Sequence, residues 1–281
     1  MAMGARWGMA MLDLPLVGFG GDGGMLGVLV HALAQSPDGP LGPLWEMAIA
    51  AVLGAVRSPA VWGAIALVAA WLGGVLGLAE WLYRHRGADA EVGRKIVHIG
   101  AGNVVLLAWG FQIPAWLGVA AAIVAAAVAL LSYRIALLPS VNSVNRHSWG
   151  TFFYAVSVGV AIAVGWGLDR PYLAAVGICV MAWGDGLAAL VGQNFGRHRY
   201  EIWGNRKSIE GTATMWLASF GVTALILTIA CGPAWTVVAI AAGVATGATI
   251  LETVAILGID NLTVPLGSAA IAYGLVQWWQ G

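Results

Sequence analysis

The sequence predicts an all-α, polytopic transmembrane helical bundle with about seven or eight membrane-spanning helices. Of its 281 residues, 60% are hydrophobic and only 9% are charged, which lies far outside the usage of soluble globular proteins. Backbone polar groups in lipid must be satisfied within helices or within a closed barrel. The long Ala, Val, Leu and Ile runs lack the period of two that barrel strands require, so the sequence favours helices.

Apolar runs of roughly twenty residues, bounded by charges, Gly or Pro, mark the expected spans. They cover residues 61–83, 96–109, 114–131, 151–166, 171–191, 212–231, 233–257 and 262–278. We therefore predict a transmembrane domain over residues 61–281, preceded by a Gly- and Pro-rich N-terminal region over residues 1–60. Its best helical candidate, residues 46–56, is too short to span and is interfacial or part of an additional helix.

Basic residues are concentrated on one side of these spans. Ten of the 13 Lys and Arg residues fall there: Arg84, Arg86, Arg94, Lys95, Arg134, Arg146, Arg197, Arg199, Arg206 and Lys207. The positive-inside rule predicts that this side is cytoplasmic. Most acids of the later part of the chain lie in or beside spans that end on this same side, so the chemistry is expected on one side of the membrane. A transporter more typically places its polar residues near the midplane. The formal net charge of zero gives no indication of nucleic-acid binding.

One acid stands out because it lies late in an apolar span. Asp185 is flanked by Gly184 and Gly186, and an ionised carboxylate there is costly unless a cation, a metal or a wet cavity accompanies it. The glycines let a ligand or another helix approach closely, and for the glycines alone, Gly192 included, helix packing is the better interpretation. Asp185, the glycines and the basic loop that follows together favour a phosphate and metal site.

The stretch NRKSIEGT, residues 205–212, supplies the groups of a nucleotide site. Lys207 offers a point charge for phosphate, Ser208 offers an N-cap, and the helix start that follows offers aligned N–H groups. Glu210 suits the helix dipole, and beside Asp185 it is also a candidate Mg²⁺ ligand. Arg206 stands where a Walker A loop requires glycine, so the stretch is not a P-loop.

A second cluster opens the helix at residue 94, where His98 follows Arg94 and Lys95 by one turn on the same face. Interfacial anchoring accounts for the two cations alone but not for the histidine. Remaining candidates are Thr151, which follows a polar loop with Arg146 and His147, and three C-terminal residues: Glu252 within an apolar helix, and Asp260 and Asn261 at a turn. The last two suit a helix cap as well as a site.

Five motifs carry a family resemblance, in one order along the chain: RKIVH at 94–98, WGTFFY at 149–154, GDGLAALVGQNFG at 184–196, NRKSIEGT at 205–212 and GIDNLTVP at 258–265. Over about residues 75–275 the sequence resembles the membrane family of phytol kinase, dolichol kinase and CTP-dependent diacylglycerol kinase. Within it, the sequence is most similar to the phytol kinase branch.

The resemblance implies an integral membrane enzyme that transfers the γ-phosphate of CTP, or of another nucleoside triphosphate, to phytol or a related prenol. Its implied partners are this lipid alcohol, the nucleotide, Mg²⁺ as cofactor and membrane lipid. The family pattern falls here on these residues: Arg94, Lys95, Asp185, Gly192, Lys207, Ser208, Glu210 and Gly211.

We expect Asp185 to hold Mg²⁺, with Glu210 as a second ligand, and the cations Arg94, Lys95 and Lys207 to neutralise phosphate charge, with Arg206 beside them. His98 or Asp185 would accept the alcohol proton. Two alternatives stay open at this stage. Phosphatidate cytidylyltransferases share a similar aspartate-containing helix and Lys-x-x-Glu-Gly element, and a non-enzymatic transporter would use the buried acids to line a passage.

Overall fold

The fold is that of a helical bundle, seen in a computed structural model that describes residues 53–54, 56–86, 90–134 and 149–280. The predicted helix at 46–56 lies largely outside these residues, as do Arg146 and His147. The α-helices follow in this order: α1 Pro59–Arg86, α2 Ala90–Gly102, α3 Val104–Gly110, α4 Ala115–Arg134, α5 Gly150–Gly167, α6 Pro171–Cys179, α7 Gly186–Phe195, α8 Ile209–Cys231, α9 Trp235–Val254 and α10 Asp260–Gln280.

Among the described residues, five segments are long and apolar enough to cross a membrane: Pro59–His85, Gly150–Gly167, Pro171–Phe195, Ile209–Cys231 and Trp235–Val254. The all-α bundle is thus confirmed, with fewer spans than predicted. The apolar part of α4, Ala115–Leu131, is shorter than these segments. Helix α10 is less apolar than these segments, because it contains Pro265 and has polar residues at both ends.

The predicted span at residues 96–109 is divided between two helices, because a one-residue turn at Asn103 separates α2 from α3. At this turn the Asn103 side chain accepts a hydrogen bond of 2.9 Å from the indole N–H of Trp183. A Cβ at Gly102 would collide with Ala182, so α2 ends in direct contact with the segment that carries Asp185.

The centre of the bundle is α6 and the turn after it. Residues 173–182 are almost completely buried, and Gly177 lies so close to α10 that a Cβ there would collide with the Pro265 carbonyl. Between α6 and α7, Val180–Asp185 form a π-helical turn. Turns of this kind insert an extra residue into a helix and are frequent at functional sites.

A short antiparallel hairpin departs from the all-α prediction. Strands β1, Arg199–Ile202, and β2, Asn205–Ser208, occupy what the sequence predicts as a basic loop. Trp203 and Gly204 join them with φ values of 48° and 79°. Two consecutive residues with positive φ are typical of the tight turn that matches the twist of a two-stranded ribbon. The hairpin ends at Ser208, whose side chain caps α8 as predicted by accepting from the Gly211 N–H.

Candidate active site

The first element of the site is a buried ion pair between α2 and the π-helical turn. Lys95 Nζ donates to Asp185 Oδ2 at 2.6 Å, and the two side chains are only 9% and 18% exposed. A lone carboxylate in this environment would be costly, and the lysine offsets that cost. The structure therefore joins two residues that lie 90 positions apart in the sequence.

His98 and Tyr154 extend this first pair. The Nε2 atom of His98 lies 3.8 Å from Asp185 Oδ2, and the His98 and Tyr154 rings contact each other with centroids 4.6 Å apart. His98 Nε2 and the Tyr154 hydroxyl are both buried, and neither has a hydrogen-bond partner among the described residues. Because an unpaired buried polar group costs free energy, such groups are often reserved for a ligand or a water.

The second element is another lysine–carboxylate pair. Lys207 Nζ donates to Glu252 Oε1 at 2.7 Å and also to the Glu252 backbone carbonyl; the two side chains are 17% and 16% exposed. Lys207 comes from β2 of the hairpin, and Glu252 from the last turn of α9. The Asn205 side chain donates to the Ala255 carbonyl at 3.3 Å, which ties the hairpin to the end of the same helix.

The carboxylates of the two pairs are close enough to interact by charge. The Glu252 carboxylate interacts electrostatically with Asp185 and with Asp260 at the start of α10. Burial raises the pKa of Asp260, and the Asp185 charge raises it further. Lys95 and Lys207 both oppose that rise, so the two cations and three acids form one charge cluster.

Several predicted residues lie apart from this cluster or in other contacts. Arg94 is half exposed and pairs with Glu91 at 2.7 Å, although its charge also acts on Asp185; Arg206 and Thr151 are exposed. Glu210 accepts hydrogen bonds from the backbone N–H of His198 and meets that ring at 2.8 Å. Asn261 donates to the Gly258 carbonyl at 3.3 Å, in the turn that precedes α10.

The glycines of the predicted site lie at helix crossings. A Cβ at Gly184 would lie 2.6 Å from the Met215 sulfur, and one at Gly186 would lie 2.7 Å from Ile99. Gly192 and Gly211 face each other, where a Cβ on Gly211 would lie 3.4 Å from the Gly192 Cα. These contacts favour the packing interpretation of the glycines, which then act by letting α2, α7 and α8 approach closely.

The charge cluster is a candidate site for a metal ion that binds together with the phosphates of a substrate. Within the described part of the chain, no three His, Cys, Asp or Glu side chains lie close enough to hold a metal ion alone. Mg²⁺ in phosphoryl-transfer sites is usually bound by one or two carboxylates together with substrate phosphates. Asp185, with Glu252 and Asp260 in electrostatic range, provides that kind of partial site.

The sequence did not predict Tyr154 as a site residue, and it did not predict the π-helical turn that carries Asp185. Tyr154 closes the WGTFFY motif, whereas the residue predicted from this motif was Thr151, which follows the polar loop with Arg146 and His147. The spacing from Tyr154 to Thr151 puts them on adjacent parts of one helix, and only packing decides which side chain faces His98. The π-helical turn has no signal in the sequence beyond the Gly-Asp-Gly triplet itself.

Comparison with known proteins finds relatives that are named phytol kinases and a farnesol kinase. No family model and no solved structure matches it. A phytol kinase from Synechocystis sp. is 54% identical over 221 residues, which cover 79% of this chain and 95% of the relative. A probable chloroplastic phytol kinase from Triticum aestivum is 27% identical over 75% of this chain and 76% of its own. A chloroplastic farnesol kinase from Arabidopsis thaliana is 31% identical over 47% and 46%.

Proposed function

The chain belongs to the phytol kinase family, and on that premise we propose that it is an integral membrane kinase acting on a prenyl alcohol. It would transfer the γ-phosphate of a nucleoside triphosphate to phytol or a related prenol. The family resemblance favours CTP as this nucleotide. The product would be the prenyl monophosphate. The observation that carries the proposal is the charge cluster, in which two buried lysine–carboxylate ion pairs and Asp260 lie within electrostatic range of one another.

Phosphoryl transfer needs little covalent help from a protein, because catalysis rests on positioning and on electrostatic stabilisation. In this structure Lys95 and Lys207 are each paired with a carboxylate. We propose that both lysines turn to the triphosphate when it binds, since phosphate oxygens offer them a stronger negative charge. Each released carboxylate is then available to a cation or to a proton.

Magnesium fits this exchange because its usual sites combine few carboxylates with substrate phosphates. Asp185 would be its first ligand. Glu252 or Asp260 would be the second, because both interact electrostatically with Asp185, whereas the Glu210 carboxylate is held by His198. When bound, the metal supplies charge neutralisation on the phosphates.

The alcohol proton would pass to Asp185 or to His98. His98 Nε2 is buried beside the aspartate without a partner among the described residues, and so is the Tyr154 hydroxyl. A group that accepts a proton must reach the reacting hydroxyl, either directly or through one water. These two unpaired polar atoms would offer the alcohol oxygen hydrogen-bond partners within an apolar bundle.

We also propose that the cluster faces the cytoplasm. The concentration of basic residues on one side of the predicted spans supports this orientation. A cytoplasmic nucleotide and a lipid alcohol dissolved in the bilayer could then meet where the apolar helices end.

The testing experiment follows labelled phosphate into lipid. The purified protein in detergent is incubated with Mg²⁺, phytol and CTP labelled at either the α or the γ phosphate; farnesol and ATP serve as alternative substrates. We expect γ label in the lipid and none from the α position. Transfer of α label to phosphatidate would instead indicate a cytidylyltransferase. Absence of transfer with every alcohol and nucleotide would reject the kinase and favour a transporter.

A further inference from the structure

An open groove runs along the outside of the bundle between the hairpin, α8 and α9. It has a volume of about 350 Å³, and six residues line it: Tyr200, Ile209, Thr212, Ala213, Trp216 and Thr249. Its volume lies at the lower end of the range for small-molecule sites in proteins. The groove occupies the first turns of α8, a helix apolar enough to cross a membrane.

The polar atoms that line the groove are already paired with one another or with backbone. The Tyr200 hydroxyl is hydrogen-bonded to Thr212 Oγ1, and the Thr249 hydroxyl donates to the Ala245 carbonyl at 2.7 Å. The Trp216 indole N–H donates to Thr246 Oγ1 at 3.1 Å. The walls therefore present mainly rings, methyl groups and methylenes, which suit a hydrocarbon chain rather than a polar ligand.

Two of the residues that line the groove are neighbours of the second ion pair. Tyr200 and Lys207 are directly opposite each other in the hairpin, so their side chains lie on the same face. Thr249 and Glu252 are three residues apart on α9 and share a face of that helix. The Lys207–Glu252 pair is therefore adjacent, on both the hairpin and α9, to residues that line the groove.

One end of the groove leads into the apolar part of α8. Ile209 and Trp216 are seven residues apart, which corresponds to about 10 Å along a helix axis. The Trp216 ring stacks on Phe220, one turn further on, with centroids 5.3 Å apart and an angle of 5° between the planes. The Trp216 and Phe220 rings therefore extend the apolar surface of the groove by one turn along α8.

We propose that this groove binds the hydrocarbon chain of the prenyl alcohol and aligns its hydroxyl end with the charge cluster. The proposal rests on the proposed function and deepens it by assigning the lipid subsite. The shape explains how a substrate dissolved in the bilayer reaches a charged centre, because an open groove lets the chain enter sideways from lipid. Trp216 is the specificity-determining residue of this subsite, since its ring supplies the largest apolar surface of the wall.

A photoreactive substrate tests the location independently of turnover. A farnesol analogue that carries a diazirine on its chain is irradiated with the protein in lipid nanodiscs, and the labelled peptides are identified by mass spectrometry. We expect label in residues 209–216 or at Thr249, with competition by unmodified phytol. Label confined to other helices would overturn the proposal, as would groove labelling that phytol leaves unchanged, because an ordinary membrane acyl chain would then be the occupant.

Kinetics with matched variants provide the second arm. Trp216→Ala is expected to raise the KM for phytol about tenfold, with a smaller rise for a short-chain prenol and an unchanged KM for the nucleotide. Trp235→Ala is the control, because Trp235 is 70% exposed at the opposite end of α9. Ala213→Trp fills the groove from an exposed position and should raise the same KM without a loss of folding.

The two proposals fail separately. Unchanged KM values for phytol in both Trp216→Ala and Ala213→Trp would overturn the groove and leave the kinase intact. A protein that phosphorylates no alcohol, although the analogue labels the groove, would overturn the kinase and leave a lipid-binding groove.

Discussion

The two lysine–carboxylate pairs have the same chemistry but different surroundings. Their N–O distances are 2.6 Å and 2.7 Å, and all four side chains are largely buried. The Lys95–Asp185 pair is flanked by two buried polar atoms without partners, on His98 and Tyr154. The Lys207–Glu252 pair is additionally bonded to backbone, and Lys207 lies opposite the groove residue Tyr200 in the hairpin. On this difference we propose that the first pair serves the reaction and the second holds the substrates in place.

The largest expected effect comes from Asp185→Asn, which removes the charge at the centre of the first pair. We expect kcat to fall about 10²–10³-fold, the usual loss when one electrostatic contact to the transition state is removed. The measurement is γ-phosphate transfer to phytol at saturating substrates.

The matched control for that variant is Asp169→Asn. Asp169 lies in the turn before α6 with a φ of 54°, a conformation that asparagine also tolerates. It is separated from Asp185 by about 20 Å of helix. Equal activity of the two variants would remove Asp185 from the reaction.

The next effect distinguishes the two lysines. Lys207→Met should raise the KM for the nucleotide about 10–100-fold with a smaller change in kcat, because it removes a charged contact used mainly in binding. Lys95→Met should lower kcat more than it raises KM. Arg206→Met, at the exposed neighbouring cation, is the control and should leave both parameters nearly unchanged. A change of the same kind in both lysine variants would contradict the division of roles.

A smaller effect is expected from Tyr154→Phe. The substitution removes only a buried hydroxyl that has no partner among the described residues, so the folded protein should be as stable as before or more stable. If the hydroxyl positions His98 or the alcohol, kcat should fall about tenfold, comparable to the loss of one hydrogen bond. Thermal unfolding in detergent and the transfer rate separate these outcomes, and an unchanged rate would make the residue a packing element.

The smallest effect is expected from Arg94→Ala. This side chain is 52% exposed and pairs with Glu91 three residues earlier on the same helix, and such pairs stabilise proteins by only about 0.3–0.5 kcal/mol. A small change in the unfolding midpoint is therefore expected. Titration with nucleotide decides its role in the site, because unchanged affinity would limit Arg94 to interfacial anchoring.

Much of this architecture follows from the sequence because its signals are local. Apolar runs and their charged boundaries give most helices to within a few residues, and Ser208 is recognisable as a cap from its place before the α8 run. Asp185 is also a local signal, since an acid late in an apolar span needs a compensating partner. These local signals therefore lead from the sequence to the helical bundle and to its central acid, Asp185.

The partners of these residues are not local and could not be predicted. Lys207 and Glu252 lie 45 residues apart, and their contact depends on the hairpin turn at Trp203 and Gly204. Lys95 meets Asp185 only because α2 packs against the π-helical turn through Gly102 and Gly186. The sequence instead favoured Glu210, an acid near Asp185 in the motif order, whose carboxylate faces His198 in the fold.

The most direct test of the account asks whether the two ion pairs act on one substrate complex. The measurement is a double-mutant cycle in kcat/KM for γ-phosphate transfer, with Lys95→Met, Lys207→Met and the variant that carries both. Groups that share a ligand are coupled, whereas independent sites add within about 0.3–0.5 kcal/mol. The account predicts coupling well above that limit. Additive effects would mean that the two pairs belong to separate sites and would contradict a single phosphotransfer centre.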